Sequence, residues 1–355
     1  MVITDVKGIK VSGLAAAVSQ EWTALESLSE DPKVIKKFIK NTGVKGRYDA
    51  GIKQTTSDFC YAAAKEINKK KNICCEDIGV LVFVTQTPDY DLPATACVLQ
   101  ERLGLTTNCL AFDVNLGCSG FTCGVNIVAS LLKASNAKYG LLLAGDTSAK
   151  ELNPYIQNKT THSSSWLFGD SGTATLLEKT EDDGDRIRMI SKTDGAGFKA
   201  IISPYGNWRN PVPPVGKRAG ATMDDIGVFN FATTEVPNLL NEAMMLEGTT
   251  PNDYDCLVLH QANLFIMKRI AKLTGFDMDK TLVSLDRFGN TSSSSVPITL
   301  VNEYGDKEDD KKLRGLMCGF GVGLSWSTID CCINQADILP LVHTDEYFED
   351  GYMAE

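Results

Sequence analysis

Apolar residues are concentrated in short runs along the chain, and amphipathic stretches separate these runs. The runs at 78–84, 109–114 and 139–144 are apolar at nearly every position, as is typical of strands that are buried on both faces of a sheet. Helices are predicted at 58–71, before the first of these runs, and at 95–103, between the first two. Alternating strands and helices predict an α/β architecture with a mostly parallel sheet.

The second part of the chain repeats this layout in order rather than in residue identity. A strand is predicted at 255–260, a helix at 264–273, a further strand at 281–285, and a closing strand pair at 316–318 and 324–329. The charged stretch 181–185 interrupts the alternation, and Pro-rich residues 195–220 predict a long surface connection. We therefore expect an N-terminal half at 1–183 and a C-terminal half at 184–355, the latter with an acidic extension from about residue 333.

Composition narrows the class of protein. The 355 residues are 43% hydrophobic and 23% charged, as in soluble globular proteins, and the formal net charge of -10 argues against a nucleic-acid partner. Because no apolar run approaches the roughly 18 residues of a membrane span, and the first residues lack the pattern of a signal peptide, we expect a cytoplasmic protein without a membrane partner. The 11 cysteines are scattered and the histidines number 3, which predicts reduced core cysteines and no metal site.

Cys118 is the first candidate for chemistry. It lies in a glycine-rich turn, and the apolar stretch that follows predicts a buried helix. We expect the unpaired N–H groups at the start of that helix to stabilise a thiolate, which favours a nucleophile. The alternative interpretation is a small core residue, because cysteine is among the most buried residue types.

His260 and Asn290 each follow a predicted strand, as Cys118 does. In open α/β sheets, ligands bind beyond the carboxyl ends of strands, so the three side chains are expected to converge. Taken singly, His260 could be a structural histidine and Asn290 an asparagine that tolerates a left-handed turn.

The sequences around these residues resemble a known family. The stretches 113–121 (DVNLGCSGF), 259–263 (LHQAN) and 286–297 (DRFGNTSSSSVP) are similar to the Cys, His and Asn motifs of the β-ketoacyl-acyl-carrier-protein synthase III family. The similarity includes 41–44, 87–90, 168–170 and 319–323, and it spans nearly the whole chain to about residue 328. The resemblance implies the thiolase fold: two similar halves with mixed, mostly parallel sheets in α-β-α-β-α layers.

The resemblance also implies an activity. Cys118 takes an acyl group from an acyl-CoA or an acyl-carrier protein, and the backbone N–H groups of Cys118 and Val322 form an oxyanion hole. Malonyl-acyl-carrier protein then loses carbon dioxide, and its enolate, held by neutral His260 and Asn290, attacks the acyl-cysteine. The product is a 3-ketoacyl thioester for fatty-acid or related biosynthesis, and no tightly bound cofactor is implied.

Several positions depart from the family pattern. Lys37 and Asn41 stand where the family commonly places an aromatic residue and an arginine that grip coenzyme A, and His162 and Phe265 replace two further arginines. These departures favour an acyl-carrier-protein donor or an altered grip on acyl-CoA. In the glycine-rich segment 319–323, Val322 replaces a glycine but keeps its N–H group.

Other binding residues are implied with less support from the motifs. The resemblance implies a homodimer in which the segment around Leu92 reaches the partner's acyl pocket. Asn263 and Phe265 are candidates for contacting the substrate. Lys268, Arg269 and Lys272 are either a docking surface for an acidic carrier protein or a solvated helix face.

Two alternative functions stay open on the sequence. An acyltransferase would pass the Cys118 acyl group to an oxygen or nitrogen acceptor, without decarboxylation. A non-catalytic partner subunit would be expected to have lost the nucleophile or one of the two donors, and this chain keeps all three residues.

Overall fold

A computed structural model describes residues 1–28, 31–151, 166–217, 220–307 and 309–352. The strands within these ranges are β1 (Val2–Lys7), β2 (Ile9–Val18), β3 (Trp22–Ala24), β4 (Gly46–Tyr48), β5 (Ile78–Val84), β6 (Leu110–Val114), β7 (Tyr139–Asp146), β8 (Ser171–Lys179), β9 (Arg186–Thr193), β10 (Ile201–Ile202), β11 (Thr222–Met223), β12 (Cys256–Leu259), β13 (Lys312–Gly321), β14 (Ser325–Asn334) and β15 (Val342–His343). The helices are α1 (Pro32–Thr42), α2 (Thr56–Lys71), α3 (Thr95–Arg102), α4 (Gly120–Ala134), α5 (Ser148–Glu151), α6 (Asp225–Glu247), α7 (Leu264–Thr274), α8 (Leu285–Phe288) and α9 (Ser295–Tyr304).

Most strands join one mixed sheet. Its 11 described strands follow the order β1-β9-β14-β2-β8-β7-β5-β6, with β13 and then β12 continuing from β14, and β15 pairing with β2. β5 is parallel to β6 and β7, β12 is parallel to β13, and β14 is parallel to β2 where the two halves meet. β8 is antiparallel to β2 and β7, and β14 is antiparallel to β9 and β13. This architecture confirms the predicted α/β class.

Helices cover the sheet in layers. α4 and α9 lie between the two parts of the curled sheet and contact strands of both, α2 and α3 cover the outer face of the N-terminal strands, and α6 and α7 cover that of the C-terminal strands. Three buried clusters fill the spaces between these layers. A helix between two sheet faces must be apolar on all sides, and α4 has no exposed residue before Lys133, as expected from its sequence.

Parallel pairing brings the chemically interesting strand ends to one edge. Val84 of β5 pairs with Val114 of β6, and β7 ends at Asp146 on the other side of β5. In the other half, Leu259 at the end of β12 pairs with Cys318 of β13. The residues that follow these strands therefore meet where the two halves of the sheet face each other.

The prediction of a strand at 281–285 is wrong. Only Thr281 forms a bridge, with Leu257, and α8 begins at Leu285. The side chain of Gln261 replaces the missing strand partner, because its Oε1 accepts a hydrogen bond from the Ser284 N–H (3.0 Å) and its Nε2 donates to the Leu282 carbonyl (3.3 Å). Backbone groups that are satisfied by a buried side chain need no strand ladder.

The acidic extension packs on the N-terminal half. After β14 ends at Asn334, β15 adds a short parallel pairing to β2. The Gln54 amide donates to the carbonyls of Thr344 (3.1 Å) and Glu346 (3.0 Å), which fixes the segment after β15. The division of the chain at residue 183 stays a prediction.

Candidate active site

Cys118 lies in a tight turn between β6 and α4. The turn closes through a hydrogen bond from the Gly120 N–H to the Gly117 carbonyl at 2.6 Å. Gly321 at the end of β13 approaches the cysteine so closely that a Cβ atom there would lie 3.0 Å from the Cys118 Sγ and 2.6 Å from its Cβ. Glycine at 321 therefore lets the backbone of the second half cover the nucleophile.

The Cys118 thiol is neutral in this environment. Burial, and after it the charge of the nearby Asp146, raise its pKa to about 12. Hydrogen bonds from the Ser292 side chain and from the backbone of Val322 and Cys118 lower the pKa, but by less than burial raises it. The expectation that the start of α4 stabilises a thiolate is therefore wrong in its net sign, because desolvation of the charge outweighs the N–H groups around it.

His260 follows the end of β12 and is also neutral. Its backbone N–H donates to the Cys318 carbonyl (2.8 Å), its ring meets the Phe320 ring edge to face at 5.4 Å between centroids, and its Nδ1 lies 2.7 Å from the Ser295 Oγ. The residue is 2% exposed. Burial lowers the pKa of the imidazole to about 3, so His260 carries no charge at neutral pH.

Asn290 is held by the segment Leu167-Phe168-Gly169, which forms a parallel bridge to it. The Gly169 N–H donates to the Asn290 carbonyl (3.1 Å), and the Asn290 N–H donates to the Leu167 carbonyl (2.8 Å). The Oδ1 of Asn290 accepts from the Ser292 N–H at 2.9 Å, which directs the Nδ2 group the other way, to within 3.5 Å of the His260 Nε2. Two neutral polar groups from different loops thus converge at one point.

Comparisons with known proteins agree with this geometry. Residues 112–195 match the family model described as 3-oxoacyl-[acyl-carrier-protein (ACP)] synthase III, and residues 244–329 match the model of its C-terminal part. The β-ketoacyl-[acyl-carrier-protein] synthase III of Clostridium perfringens is 30% identical over 328 residues, which cover 90% of this chain and 98% of the relative. The chain belongs to the β-ketoacyl-acyl-carrier-protein synthase III family.

Further relatives support the assignment. The synthase III of Caldanaerobacter subterraneus is 33% identical over 290 residues, covering 81% of this chain and 86% of the relative. A crystal structure of the 3-oxoacyl-(acyl-carrier protein) synthase from Burkholderia xenovorans is 32% identical, covers 97% of this chain and 99% of that chain, and superposes with a TM-score of 0.91. The chain is thus an acyltransferase of the condensing class with the thiolase fold, and the family uses no tightly bound cofactor.

The remaining residues expected at a synthase III site are more dispersed. The Val322 backbone lies close enough to the Cys118 thiol to lower its pKa. The Asn263 side chain caps α7, because it accepts a hydrogen bond from the Ile266 N–H at 2.8 Å. Phe265 is 63% exposed and stacks on Phe229, with ring centroids 5.7 Å apart. Leu92 is 77% exposed, and His162 lies outside the described residues.

The cations after His260 are solvent-exposed. Lys268, Arg269 and Lys272 lie on the exposed side of α7, and none of them forms a salt bridge with another described residue. Lys37 and Asn41, the departures on α1, are exposed as well.

Two further side chains in this synthase III site carry no assignment from the sequence. Asp146, fully buried at the end of β7, accepts hydrogen bonds from the Gln86 N–H (2.7 Å), the Thr85 hydroxyl (3.2 Å) and the Ser293 hydroxyl (2.8 Å). Ser292 has a left-handed backbone with φ of 52°, uncommon for a residue other than glycine. The position of Asp146 at a strand end was the available signal, and Ser292 lay within the recognised Asn motif.

Neither a metal centre nor a membrane segment appears in the described parts of the chain. No group of three or more His, Cys, Asp or Glu side chains there could hold a metal ion. Among the same residues, no helix has the length and apolar character needed to cross a membrane.

Proposed function

We propose that the chain condenses an acyl thioester with malonyl-acyl-carrier protein through an acyl-Cys118 intermediate. The observation that carries the proposal is the convergence of two neutral groups, the His260 Nε2 and the Asn290 Nδ2, at 3.5 Å from each other in a buried site. A pair of neutral donors suits an oxygen on which negative charge develops during the reaction.

The first half-reaction is the transfer of the acyl group to Cys118. The sulfur attacks the carbonyl carbon of the donor thioester, and the tetrahedral intermediate expels the donor thiol. The backbone of Cys118 and of Val322 lowers the pKa of the thiol, which supports N–H groups close to the sulfur. In the proposed mechanism these N–H groups stabilise the oxyanion that forms next to it.

The second half-reaction is decarboxylation and carbon–carbon bond formation. Loss of carbon dioxide from the malonyl group leaves an enolate, and its oxygen accepts hydrogen bonds from His260 and Asn290. This role requires the His260 tautomer with hydrogen on Nε2, in which the Ser295 hydroxyl donates to Nδ1. Each such donor lowers the activation barrier by about 3–4 kcal/mol in comparable sites.

Intact-mass spectrometry tests the proposal in two steps. Incubation with a short acyl thioester should add the acyl mass to the wild type and not to Cys118→Ala. Asn290→Ala should still be acylated but should lose decarboxylation of malonyl-acyl-carrier protein by about 100-fold or more. If no donor acylates Cys118, the mechanism is wrong, and if the wild type is acylated but never decarboxylates malonyl thioesters, acyl transfer to an oxygen or nitrogen acceptor replaces it.

We infer that the exposed cations of α7 receive the acidic carrier protein. Lys268, Arg269 and Lys272 follow the His260 loop on the solvent side of the helix. The double charge reversal Lys268→Glu with Arg269→Glu should raise KM for malonyl-acyl-carrier protein and weaken its salt dependence, because exposed charges steer association. Lys69→Glu with Lys70→Glu, at the far end of α2, is the control, and an equal effect there would refute docking on α7.

The replacement of an arginine by Phe265 supports an acyl-carrier-protein donor over acyl-CoA. The exposed Phe229–Phe265 stack offers an apolar surface and no cation to a nucleotide phosphate. Comparing Cys118 acylation from the two donors, in wild type and in Phe265→Arg, checks this. The variant should gain activity with acyl-CoA specifically, and a wild type that prefers acyl-CoA would contradict the inference.

We also propose a homodimer in the cytoplasm, with Leu92 directed to the partner's acyl pocket. The Leu92 side chain is 77% exposed and is therefore accessible to a second subunit. Analytical ultracentrifugation gives the subunit number. A monomer with full condensing activity would refute the proposal.

A further inference from the structure

The last described residues of the chain contact the loop that carries Leu92. Residues 344–352, the C-terminal tail, follow β15 and lie beyond residue 329, where the match to the family model ends. The Gln54 amide holds the first residues of the tail. Two further contacts join the tail to the β5–α3 loop (85–94) and to the helix that follows this loop.

The first contact lies inside the β5–α3 loop. The Tyr90 hydroxyl donates a hydrogen bond to the Asp350 carboxylate, and this bond raises the pKa of the phenol to about 12. A hydrogen bond to an ionised acceptor is roughly twice as strong as one between neutral groups. Because Tyr90 lies two residues before Leu92, this bond restrains the backbone beside the exposed leucine.

The second contact lies at the end of α3. The Arg102 Nη2 donates to the Asp58 Oδ1 at 2.8 Å, and the arginine side chain is 6% exposed. Its guanidinium carbon lies 4.6 Å from the centroid of the Tyr61 ring and equally far from that of the Phe348 ring. A cation–π contact is stronger where water is excluded, so Phe348 holds the tail against α3.

The tip of the β5–α3 loop is open, whereas its base is fixed. The Ser57 hydroxyl donates to the Asp89 carboxylate (2.6 Å), and the Asp89 N–H donates to the Thr95 hydroxyl (3.1 Å). Residues 91–93 are exposed. Among the described residues, Tyr90 therefore makes the side-chain hydrogen bond nearest to the tip, and its acceptor belongs to the tail.

We propose that the C-terminal tail sets the acyl-chain preference of the partner subunit by fixing the position of Leu92. The inference rests on the proposed homodimer, in which Leu92 is directed to the partner's acyl pocket. A leucine held at one depth leaves a fixed length for the acyl chain, and one methylene changes transition-state binding in an apolar pocket by about tenfold or more. A leucine on a loose loop moves with the chain and discriminates less.

Hydrogen–deuterium exchange tests the restraint on the loop without any substrate. Tyr90→Phe removes only the hydroxyl, and deletion of residues 344–355 removes the tail. Both should speed the exchange of the amides at 89–92 by about fivefold or more, because a charge-assisted hydrogen bond is lost. Tyr352→Phe is the matched control, since that tyrosine is 90% exposed, and α7 should exchange as in the wild type throughout. Unchanged exchange at 89–92 in both variants would overturn the proposal.

A double-mutant cycle assigns the effect to one hydrogen bond. Asp350→Asn weakens the acceptor of the Tyr90 hydroxyl, so the combination with Tyr90→Phe should speed exchange no more than Tyr90→Phe alone. Full addition of the two effects would show that the Tyr90–Asp350 contact does not restrain the loop.

Single-turnover acylation of Cys118 measures the chain-length preference. Straight-chain acyl thioesters from acetyl to dodecanoyl serve as donors, and the ratio of the fastest to the slowest rate reports the discrimination. This ratio should fall by about tenfold in the deletion variant and by about threefold in Tyr90→Phe, as expected when a pocket no longer rejects added methylenes. Tyr352→Phe should keep the wild-type ratio, and a wild-type ratio in the deletion variant would overturn the inference.

Two differently tagged chains, purified as a heterodimer, show on which subunit the tail acts. In one heterodimer, the chain with Cys118→Ala also lacks the tail, so the reactive cysteine belongs to the subunit that keeps its tail. In the other, the tail is missing from the chain that keeps Cys118. Only the first should show the broadened preference, because its acyl pocket faces the loose loop. Broadening in the second alone would overturn action across the dimer.

Leu92→Ala separates failure of this inference from failure of the proposed function. The variant shortens the side chain and should shift the preference to longer acyl chains. If it does so while the tail variants keep the wild-type preference, the tail inference alone is wrong. If Leu92→Ala changes nothing, the placement of Leu92 at the partner's pocket is wrong and the inference fails with it. If the wild type forms no acyl adduct, the proposed function fails, while the exchange at 89–92 still reports the contact with the tail.

Discussion

Ser295→Ala tests whether the tautomer of His260 matters for decarboxylation. The Ser295 Oγ lies 2.7 Å from the His260 Nδ1, and both residues are buried, at 0% and 2% exposure. A hydroxyl that donates to Nδ1 keeps the ring hydrogen on Nε2, where it faces Asn290. Without this hydroxyl, the imidazole is free to carry its hydrogen on Nδ1 and to present a lone pair to the enolate oxygen.

The expected fall in the decarboxylation rate lies between two limits. Removing one buried neutral hydrogen bond costs about 1 kcal/mol, which corresponds to roughly a fivefold fall in the decarboxylation rate. If the wrong tautomer becomes dominant, the site loses a complete donor, and the fall approaches about 100-fold. Acylation of Cys118 should change less than about twofold, because in the proposed mechanism His260 acts only in the second half-reaction.

Rapid-quench measurement of each half-reaction provides the assay, and ¹⁵N shifts of the imidazole nitrogens report the tautomer. The chain has 3 histidines, so the signals can be assigned by single substitutions. Ser294→Ala is the matched control, since its Oγ hydrogen-bonds Thr291 and Ser171 and not His260. Unchanged decarboxylation in Ser295→Ala, or equal slowing of both half-reactions, would refute the assigned role of the Nε2 hydrogen.

Two further predictions concern the stability and packing of the site. The pKa of His260 falls from 6.5 to about 3 on folding, so between these pH values the unfolded chain binds a proton that the folded chain does not. Acidification from pH 6.5 should therefore lower the free energy of unfolding by up to about 1.4 kcal/mol per pH unit. Urea titrations of His260→Gln at several pH values should lack this part of the pH dependence. Gly321→Ala places a methyl group 3.0 Å from the Cys118 Sγ and should cost about 1–3 kcal/mol of stability and abolish acylation, whereas Gly195→Ala, which meets no atom within 4 Å, should do neither. Equal slopes for His260→Gln and wild type, or an active Gly321→Ala enzyme, would contradict these expectations.

The sequence predicted the elements whose apolar pattern is decided by burial alone. The strand at Ile78–Val84 and the helix after Cys118 are buried by their neighbours on nearly all sides, so most of their residues had to be apolar. The three residues were predicted to converge because each was expected to follow a strand. Cys118 follows β6 and His260 follows β12, whereas Asn290 follows the helix α8 and still lies within 3.5 Å of His260. The failed strand at 281–285 has the same apolar character, but its backbone is satisfied by Gln261, a partner 21–23 residues away that local pattern cannot indicate.

The sign of the Cys118 pKa shift could not be predicted from a local motif. A helix start argues for a lowered pKa, and that contribution is present in the hydrogen bonds from nearby backbone groups. The effects that raise the pKa are burial beneath Gly321 and the charge of Asp146, which come from a strand about 200 residues later and from another strand end. Long-range packing therefore decides the ionisation state, while the sequence around the cysteine shows only one of its contributions.

One physical condition explains the division of roles in the site. Removing water strengthens the hydrogen bonds that His260 and Asn290 offer to a developing charge, because no solvent competes for them. The same desolvation keeps the imidazole and the thiol neutral. A neutral imidazole with hydrogen on Nε2 donates to a developing oxyanion without first taking up a proton, so the burial of His260 supports its proposed role as a donor beside Asn290.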